Sequence, residues 1–460
     1  MSRKLYFSVD DDSDEVVKRY ELYLEGKASG YFDVEELEGI VEHYLKSGRT
    51  KDCAWVLDFG LRLHPYSNAL KVKRAKIYLA TGDVQKALYT LEKLTESNDY
   101  ETYLLKVEIL LKMDRAVEAR KLRDVLLYQD CEDLDNVCLD LAYIYLSLAD
   151  FDGAIYLLEK GDEINQTNIE LLFELAFCYE HKEQFEDAIA VYNRIIDIDA
   201  YNQGAWFNLG QIYFVSQEYQ KSLEAYEFAL IIDDSDSLAC IQKAHVLFQL
   251  EEYSIAIETY IEYGKLTSNE WETAVFVAEC YEKLERYDDA IFYYQKSLEE
   301  NPKNYDALTG IAVCLLEQEK FIESKEYVDK AIEIDPYSAD AWVYKAEASI
   351  GLDALDDALS DYNHSLSLDS NQPETLMAIA NIYLEKDECE LALERYRQAL
   401  ALNEHLEYIN MFISVAYYKL NQMDEAIQYL QLAIRENEQA ASFFLELCPD
   451  AVDRFMLEEN

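Results

Sequence analysis

Apolar residues along this chain follow two interlocked spacings. Within short stretches they fall at i, i+3, i+4 and i+7, as Trp206, Leu209, Gly210 and Tyr213 do, the spacing that lines one face of a helix. After a polar break at Ser216-Gln217-Glu218 the pattern resumes with Tyr219, Ser222, Leu223, Tyr226 and Ala229. Residues 203–236 therefore predict a helix, a turn and a second helix. The unit then recurs. Ala154, Ala188, Ser222, Ala256, Ala290, Ser324, Ala358, Ala392 and Ala426 stand 34 residues apart, nine small residues in one register. Tyr145, Tyr179, Tyr213, Tyr281, Tyr383 and Tyr417 keep the same interval beside them, with Leu247, Leu315 and Ser349 in the remaining places. A constant period of this length means one helical hairpin copied in tandem.

The residue types explain how copies would pack. Small side chains such as Gly210 and Ser222 let two helices approach until ridges seat in grooves. Tyrosines are large apolar plates with a polar tip, expected to fill the gap towards the next unit. Asn202, Asn304 and Ser338 stand just before first helices, where their side chains suit N-caps. Pro373 fits a first helical position, where a missing N–H costs nothing.

Trp206-x-x-Leu209-Gly210-x-x-Tyr213 resembles the first half of the tetratricopeptide repeat, and Ala290, Tyr294 and Pro302, or Ser324, Ala331 and Pro336, resemble its second half. The resemblance implies an all-α fold, a right-handed superhelical α-solenoid of about twelve helix-turn-helix units spanning about 34–440. Regular units start near 135, 169, 203, 237, 271, 305, 339, 373 and 407. Three degenerate ones, near 34, 68 and 100, fill 34–134, and their spacing slips by a residue or two. Residues 1–33 read as a lead-in with a β-prone stretch (Leu5 to Val9), an acidic run and a helix from Val16 to Leu24. Asp33 and Glu36 form a capping pair at the first repeat. Residues 441–460 read as a cap that lays Phe443, Phe444, Leu445 and Leu447, then Phe455, Met456 and Leu457, over the last repeat.

Charge narrows the partners. The chain carries 41 Lys and Arg against 92 Asp and Glu, a formal charge of −51, which opposes nucleic acid and anionic membrane. The excess is uneven: residues 1–130 hold 24 acidic and 21 basic residues, residues 131–460 hold 68 and 20. A protein or peptide partner is expected to be neutral or basic, although the acidity also serves solubility. Nine cysteines without a C-x-x-C pair, several at equivalent repeat positions (Cys178, Cys280, Cys314), read as reduced buried thiols. Lacking a signal-like start or an apolar run long enough to span a bilayer, the chain reads as cytoplasmic, with no membrane insertion.

Chemistry is sparse. No phosphate-binding glycine loop, nucleophile elbow or metal-binding helix motif occurs, so no enzyme, cofactor or metal is expected. Asp10, Asp12, Asp14 and Glu21 imitate a calcium loop, but Glu15 stands where its glycine belongs. Lys71, Lys73, Arg74 and Lys76 form a candidate basic patch for an anionic segment. The resemblance also implies a concave groove lined by first helices. Mapped onto this chain, the groove-facing positions include Phe173, Phe177, Phe207, Asn208, Gln211 and Phe214. They continue with Gln242, His245, Phe248, Phe276, Glu279, Tyr344, Asn381 and Phe412. Rings would hold a partner's side chains while amides bond its backbone. The carboxylate clamp used by some members is absent: the positions around Asn208 are Phe173, Phe177, Leu238 and Gln242. The expected function is a non-enzymatic scaffold or adaptor that binds a partner in that groove. The alternatives are an acidic holdase for basic proteins and a regulatory subunit of a separate enzyme.

Overall fold

A computed structural model describes residues 11–27, 30–94, 99–128 and 133–451. The described residues form twenty-six helices and no strand. Two compact units divide the chain, 1–217 and 218–460. The compositional boundary near 135 lies inside the first of them.

In the first unit, α1 (Asp11–Leu24) precedes five hairpins. These pair α2 (Val34–Lys46) with α3 (Thr50–Leu63), α4 (Asn68–Ala80) with α5 (Val84–Glu92), and α6 (Tyr100–Lys112) with α7 (Ala116–Leu127). Next come α8 (Leu134–Ser147) with α9 (Phe151–Ile164), and α10 (Ile169–His181) with α11 (Phe185–Ile198). Helix α12 (Gln203–Val215) closes this unit.

The second unit opens with α13 (Tyr219–Ile232). Its hairpins are α14 (Ser237–Gln249) with α15 (Tyr253–Thr267), α16 (Glu270–Lys283) with α17 (Tyr287–Glu300), and α18 (Tyr305–Glu317) with α19 (Phe321–Ile334). Then follow α20 (Ala339–Gly351) with α21 (Leu355–Leu368), α22 (Pro373–Glu385) with α23 (Cys389–Leu402), and α24 (Ile409–Lys419) with α25 (Met423–Glu436). Helix α26 (Ala440–Leu447) packs on α24 and α25.

Local chemistry sets the helix ends. Asn202, Asn304 and Ser338 accept from backbone N–H groups three residues on, and Pro373 is the first residue of α22. Asp33 and Glu36 make the reciprocal capping box. Each turn inside a hairpin needs one residue in the left-handed region. Gly48 (φ 70) and Gly82 (φ 83) supply it in the first two hairpins. Later turns place Ala149, Glu183, Gln217, Glu251, Glu285, Glu319, Asp353, Asp387 and Asn421 there, all at φ 56–61 and 34 residues apart. At Ala149 the bonds Ala149 N to Leu146 O and Asp150 N to Tyr145 O, both 3.0 Å, close the helix as a Schellman motif.

The small residues mark close approach. Ala142, Ala176, Ala244, Ala278, Ala312, Ala346, Ala380 and Ser414 on first helices are fully buried, as is the whole series from Ala154 to Ala426 on second helices. Ser324 Oγ donates to the Ala312 carbonyl at 2.9 Å and Ser414 Oγ to the Ala426 carbonyl at 2.7 Å. A serine can reach the opposing backbone only because the facing residue is alanine. Behind this seam runs a ladder of buried second-helix tyrosines: Tyr192, Tyr226, Tyr260, Tyr294, Tyr362 and Tyr396. Gly310 admits one rung, since a Cβ there would sit 2.3 Å from Tyr294 Cζ. The other tyrosine series differs from expectation. Tyr281 stacks on Tyr293 and Tyr417 on Tyr429, each at 5.5 Å, so these plates also pack across their own hairpins.

At the ends, Tyr20 of α1 packs edge-on against Phe32 (5.5 Å) and lies 5.9 Å from Phe59. Leu5 to Val9 and Asp10 lie outside the described residues, and Asp12 and Asp14 lie within a helix rather than a loop. In α26 only Phe444 is fully buried. Phe443, Leu445 and Leu447 remain partly exposed because one face of an eight-residue helix cannot hide four apolar groups spread over five positions. Phe455, Met456 and Leu457 lie outside the described residues. No helix among the described residues is long and apolar enough to cross a membrane.

Candidate protein-binding surface

First helices present the residues that the repeat register singles out, and the tyrosine ladder beneath them decides which are available. In the first unit Asn208 donates to the Tyr192 hydroxyl (3.0 Å), which donates to Glu180 Oε1 (2.5 Å). Phe173 packs edge-on against the same tyrosine at 5.8 Å. Phe177, 39% exposed, lies 4.1 Å from the His181 ring. Phe207 and Phe214 are half-buried and Gln211 is exposed.

The second unit repeats the arrangement with different partners. His245 Nδ1 and the Tyr260 hydroxyl are 2.8 Å apart, and Phe276 stacks on Tyr260 at 5.0 Å. Burial in this aromatic box lowers the His245 pKa and keeps the ring neutral. Phe248 meets Tyr253 at 5.3 Å, whereas Gln242 and Tyr344 are half-buried. Asn381 accepts from the Tyr396 hydroxyl (2.6 Å), and Phe412 stacks on that ring at 6.3 Å. The polar residues Asn208, His245 and Asn381 are thus held by the protein's own tyrosines. An amide in such a site stiffens the hairpin and retains only part of its bonding capacity for a ligand.

The strongest local chemistry on the second unit is a run of carboxylates. Glu279 and Glu282 on α16, Asp306 and Glu317 on α18, and Glu347 on α20 are linked pairwise, while Asp340 on α20 acts on Tyr344. Burial, then Glu282 and Asp306, push Glu279 up to about 7. Burial also raises Glu282, against a hydrogen bond that it accepts from Tyr294 Oη at 3.0 Å, and Glu317 adds to the rise. Glu347 is more exposed, yet partial desolvation and then Glu317 raise it too. Tyr344 is raised first by burial and then by Asp340, Glu347, Tyr305 and Glu282. Among the described residues none of these six carboxylates has a Lys or Arg within 4.0 Å, and Lys283 of α16, farther off, offsets part of the rise of Glu279 and Glu282. Of these carboxylates the repeat register alone singles out Glu279 beside the rings and amides of the groove. The available signal for the others was that Glu282, Glu317 and Glu347 also fall at groove-facing positions of successive repeats.

The proposed basic patch is largely occupied. Lys73 pairs with Glu42 at 2.6 Å, Arg74 with Asp58 and Tyr78, and Lys76 with Glu101. These bonds tie α4 to its neighbours α2, α3 and α6, and only half-buried Lys71 has no such partner described. The thiols are closed off as well: all eight described cysteines are free and buried, and burial lifts Cys178, Cys280 and Cys314 to about 12.

Residues 145–209, 282–342 and 377–441 match family models of the tetratricopeptide repeat. No curated protein matches the chain. Among solved structures, the APC/C hetero-tetramer Cut9-Hcn1 is similar at 15% identity, with 89% of this chain and 96% of that one covered and a TM-score of 0.41. A tetratricopeptide repeat protein from Parabacteroides merdae aligns at 16% identity over 54% of this chain and 98% of that one, TM-score 0.42. YrrB, described as a TPR protein with an unusual peptide-binding site, aligns at 19% identity over 41% and 96%, TM-score 0.34.

Proposed function

This chain is a helical protein of tetratricopeptide repeats, and from that premise we propose that it is a scaffold whose second unit grips a cationic protein segment on the first helices α16, α18 and α20. Repeats of this kind are protein–protein interaction modules. The reading of a cation site rests on one observation: carboxylates from three successive first helices cluster with no Lys or Arg within 4.0 Å, and burial raises three of them, Glu279, Glu282 and Glu347. Desolvated like charges raise the energy of the free surface, and an incoming Lys or Arg relieves that repulsion while Tyr344 supplies a ring for its stem. Phe276, Gln242 and the exposed edges of α14 extend the same face. Catalysis has no part in this reading.

Fluorescence anisotropy with a labelled Lys/Arg-rich peptide tests it. Glu279→Gln combined with Glu347→Gln should weaken binding at least tenfold at 0.15 M salt, while Asp234→Asn, on the loop after α13, should leave it unchanged. Equal losses from any two carboxylates would replace this site with a diffuse anionic shield, the holdase alternative. Binding to the intact face should also strengthen between pH 6 and 8, as Glu279 ionises.

A further inference from the structure

The second helices of the first unit carry a surface that the reading above leaves unused. Trp55 is 71% exposed, Tyr89 59% and Tyr156 49%. Each is the sixth residue of its helix, on α3, α5 and α9, and Lys121 holds the sixth place on α7. The four therefore form one column up successive hairpins. Cations flank it: exposed Lys51 lies one turn before Trp55, Lys93 Nζ stands 4.0 Å from the Tyr89 ring centroid, and exposed Arg120 adjoins Lys121. Residues 50–127 hold 14 Lys and Arg against 11 Asp and Glu, a cationic stretch inside a chain of charge −51.

Large rings are normally covered, and Trp, Tyr and Arg are the side chains that dominate binding energy at protein interfaces. We propose that this column docks an acidic protein segment that carries apolar side chains. Apolar groups cover Trp55, Tyr89 and Tyr156, while carboxylates meet Lys51, Arg120 and Lys121. Adjacent helix layers are on the order of 10 Å apart, and an extended chain advances about 3.3 Å per residue, so an apolar residue recurs every three to four positions in the bound segment. Local charge complementarity selects an acidic partner. The same surface disfavours nucleic acid, because Asp52, Glu118 and Asp124 interrupt the cations and pair with Arg49, Arg115 and Arg123. A phosphate at every step would meet those carboxylates, whereas a peptide can place an apolar residue there.

The probe is a labelled 14-residue peptide with Phe or Leu at every third or fourth position and Asp or Glu between, titrated against the full chain by anisotropy. Trp55→Ala and Lys121→Glu should each weaken binding at least tenfold, with helical content unchanged by circular dichroism. Trp55→Phe should retain most of the affinity, and Glu279→Gln should leave it unaltered, which separates this surface from the acidic face of the second unit. Four results overturn the proposal. They are no binding by the unaltered chain, equal binding by Trp55→Ala, equal binding of an oligoglutamate of the same length, and displacement of the peptide by a single-stranded oligothymidine.

Discussion

The second helices of the two units share one register yet turn opposite chemistry to solvent. Their sixth residue is Trp55, Tyr89, Lys121, Tyr156 and Ala190 on α3 to α11, but Glu224, Glu258, Glu326 and Glu394 on α13, α15, α19 and α23, with Ser360 on α21 and Gln428 on α25. Phe292 on α17 is an exception, 62% exposed among acidic neighbours. By contrast the buried positions barely change: the small residue two places earlier on each of α9 to α25 is Ala, Ser or, on α9, Ala154 itself, all fully buried. Where a side chain meets another helix, packing restricts it to a few shapes. Where it meets only solvent, the hairpin is indifferent, and a systematic difference between units points to different partners rather than different folding needs.

The sharpest way to break this contrast is to truncate one aromatic from each class. Tyr294→Ala removes a 2%-exposed ring and its bond to Glu282, and should cost about 3–5 kcal/mol in urea unfolding of the second unit. Trp55→Ala should cost about 0.5 kcal/mol or less, despite losing the larger side chain. Similar losses for both would mean that the exposed column also holds the first unit together.

A second test concerns the acidic face. Because Glu279 is raised from 4.5 to about 7, the folded chain holds a proton that the unfolded chain has released throughout that window. Stability therefore falls as pH rises from about 4.5 to 7, and the full penalty is present above it. Glu279→Gln should gain about 3 kcal/mol at pH 8 and nothing at pH 4, a difference that denaturant melts at the two pH values would resolve. An unchanged pH profile would remove the desolvated carboxylate from the account and with it the main support for a cation site. The gain in stability should accompany loss of cationic-peptide binding, since the group that strains the free surface is the one a ligand would use.

The smallest effect compares the turns. Gly82→Ala should cost about 1 kcal/mol, because a Cβ is disfavoured at φ 83. Ala149→Gly relieves a Cβ at φ 56 but loosens the unfolded chain, so the net gain should be a few tenths of a kcal/mol. Thermal midpoints measured on the same day and buffer suffice to order the two. Equal and opposite shifts would show that unfolded-state entropy contributes little at these turns.

Much of the architecture could be read without coordinates. The spacing of Ala154 to Ala426 identifies the seam between paired helices, and Asn202, Asn304, Ser338 and the Asp33–Glu36 pair mark helix starts by side-chain chemistry alone. The candidate site was less legible. Asn208 and Asn381 look like ligand-binding amides until Tyr192 and Tyr396 are seen beneath them, and Lys73, Arg74 and Lys76 look like a patch until Glu42, Asp58 and Glu101 are seen opposite. Glu279 could be placed on the groove by register, but not its burial beside Glu282 and Asp306, since 92 acidic residues give no local contrast.

By itself the sequence determined the repeating hairpin, its close-packed seam and its caps, because those depend on periodicity and on residues a few positions apart. Only the tertiary structure decided which polar groups are satisfied internally, which carboxylates are desolvated together and which rings stay in water. Those properties depend on neighbours brought in from other helices, and hydrogen bonding and burial are fixed by that company rather than by residue type.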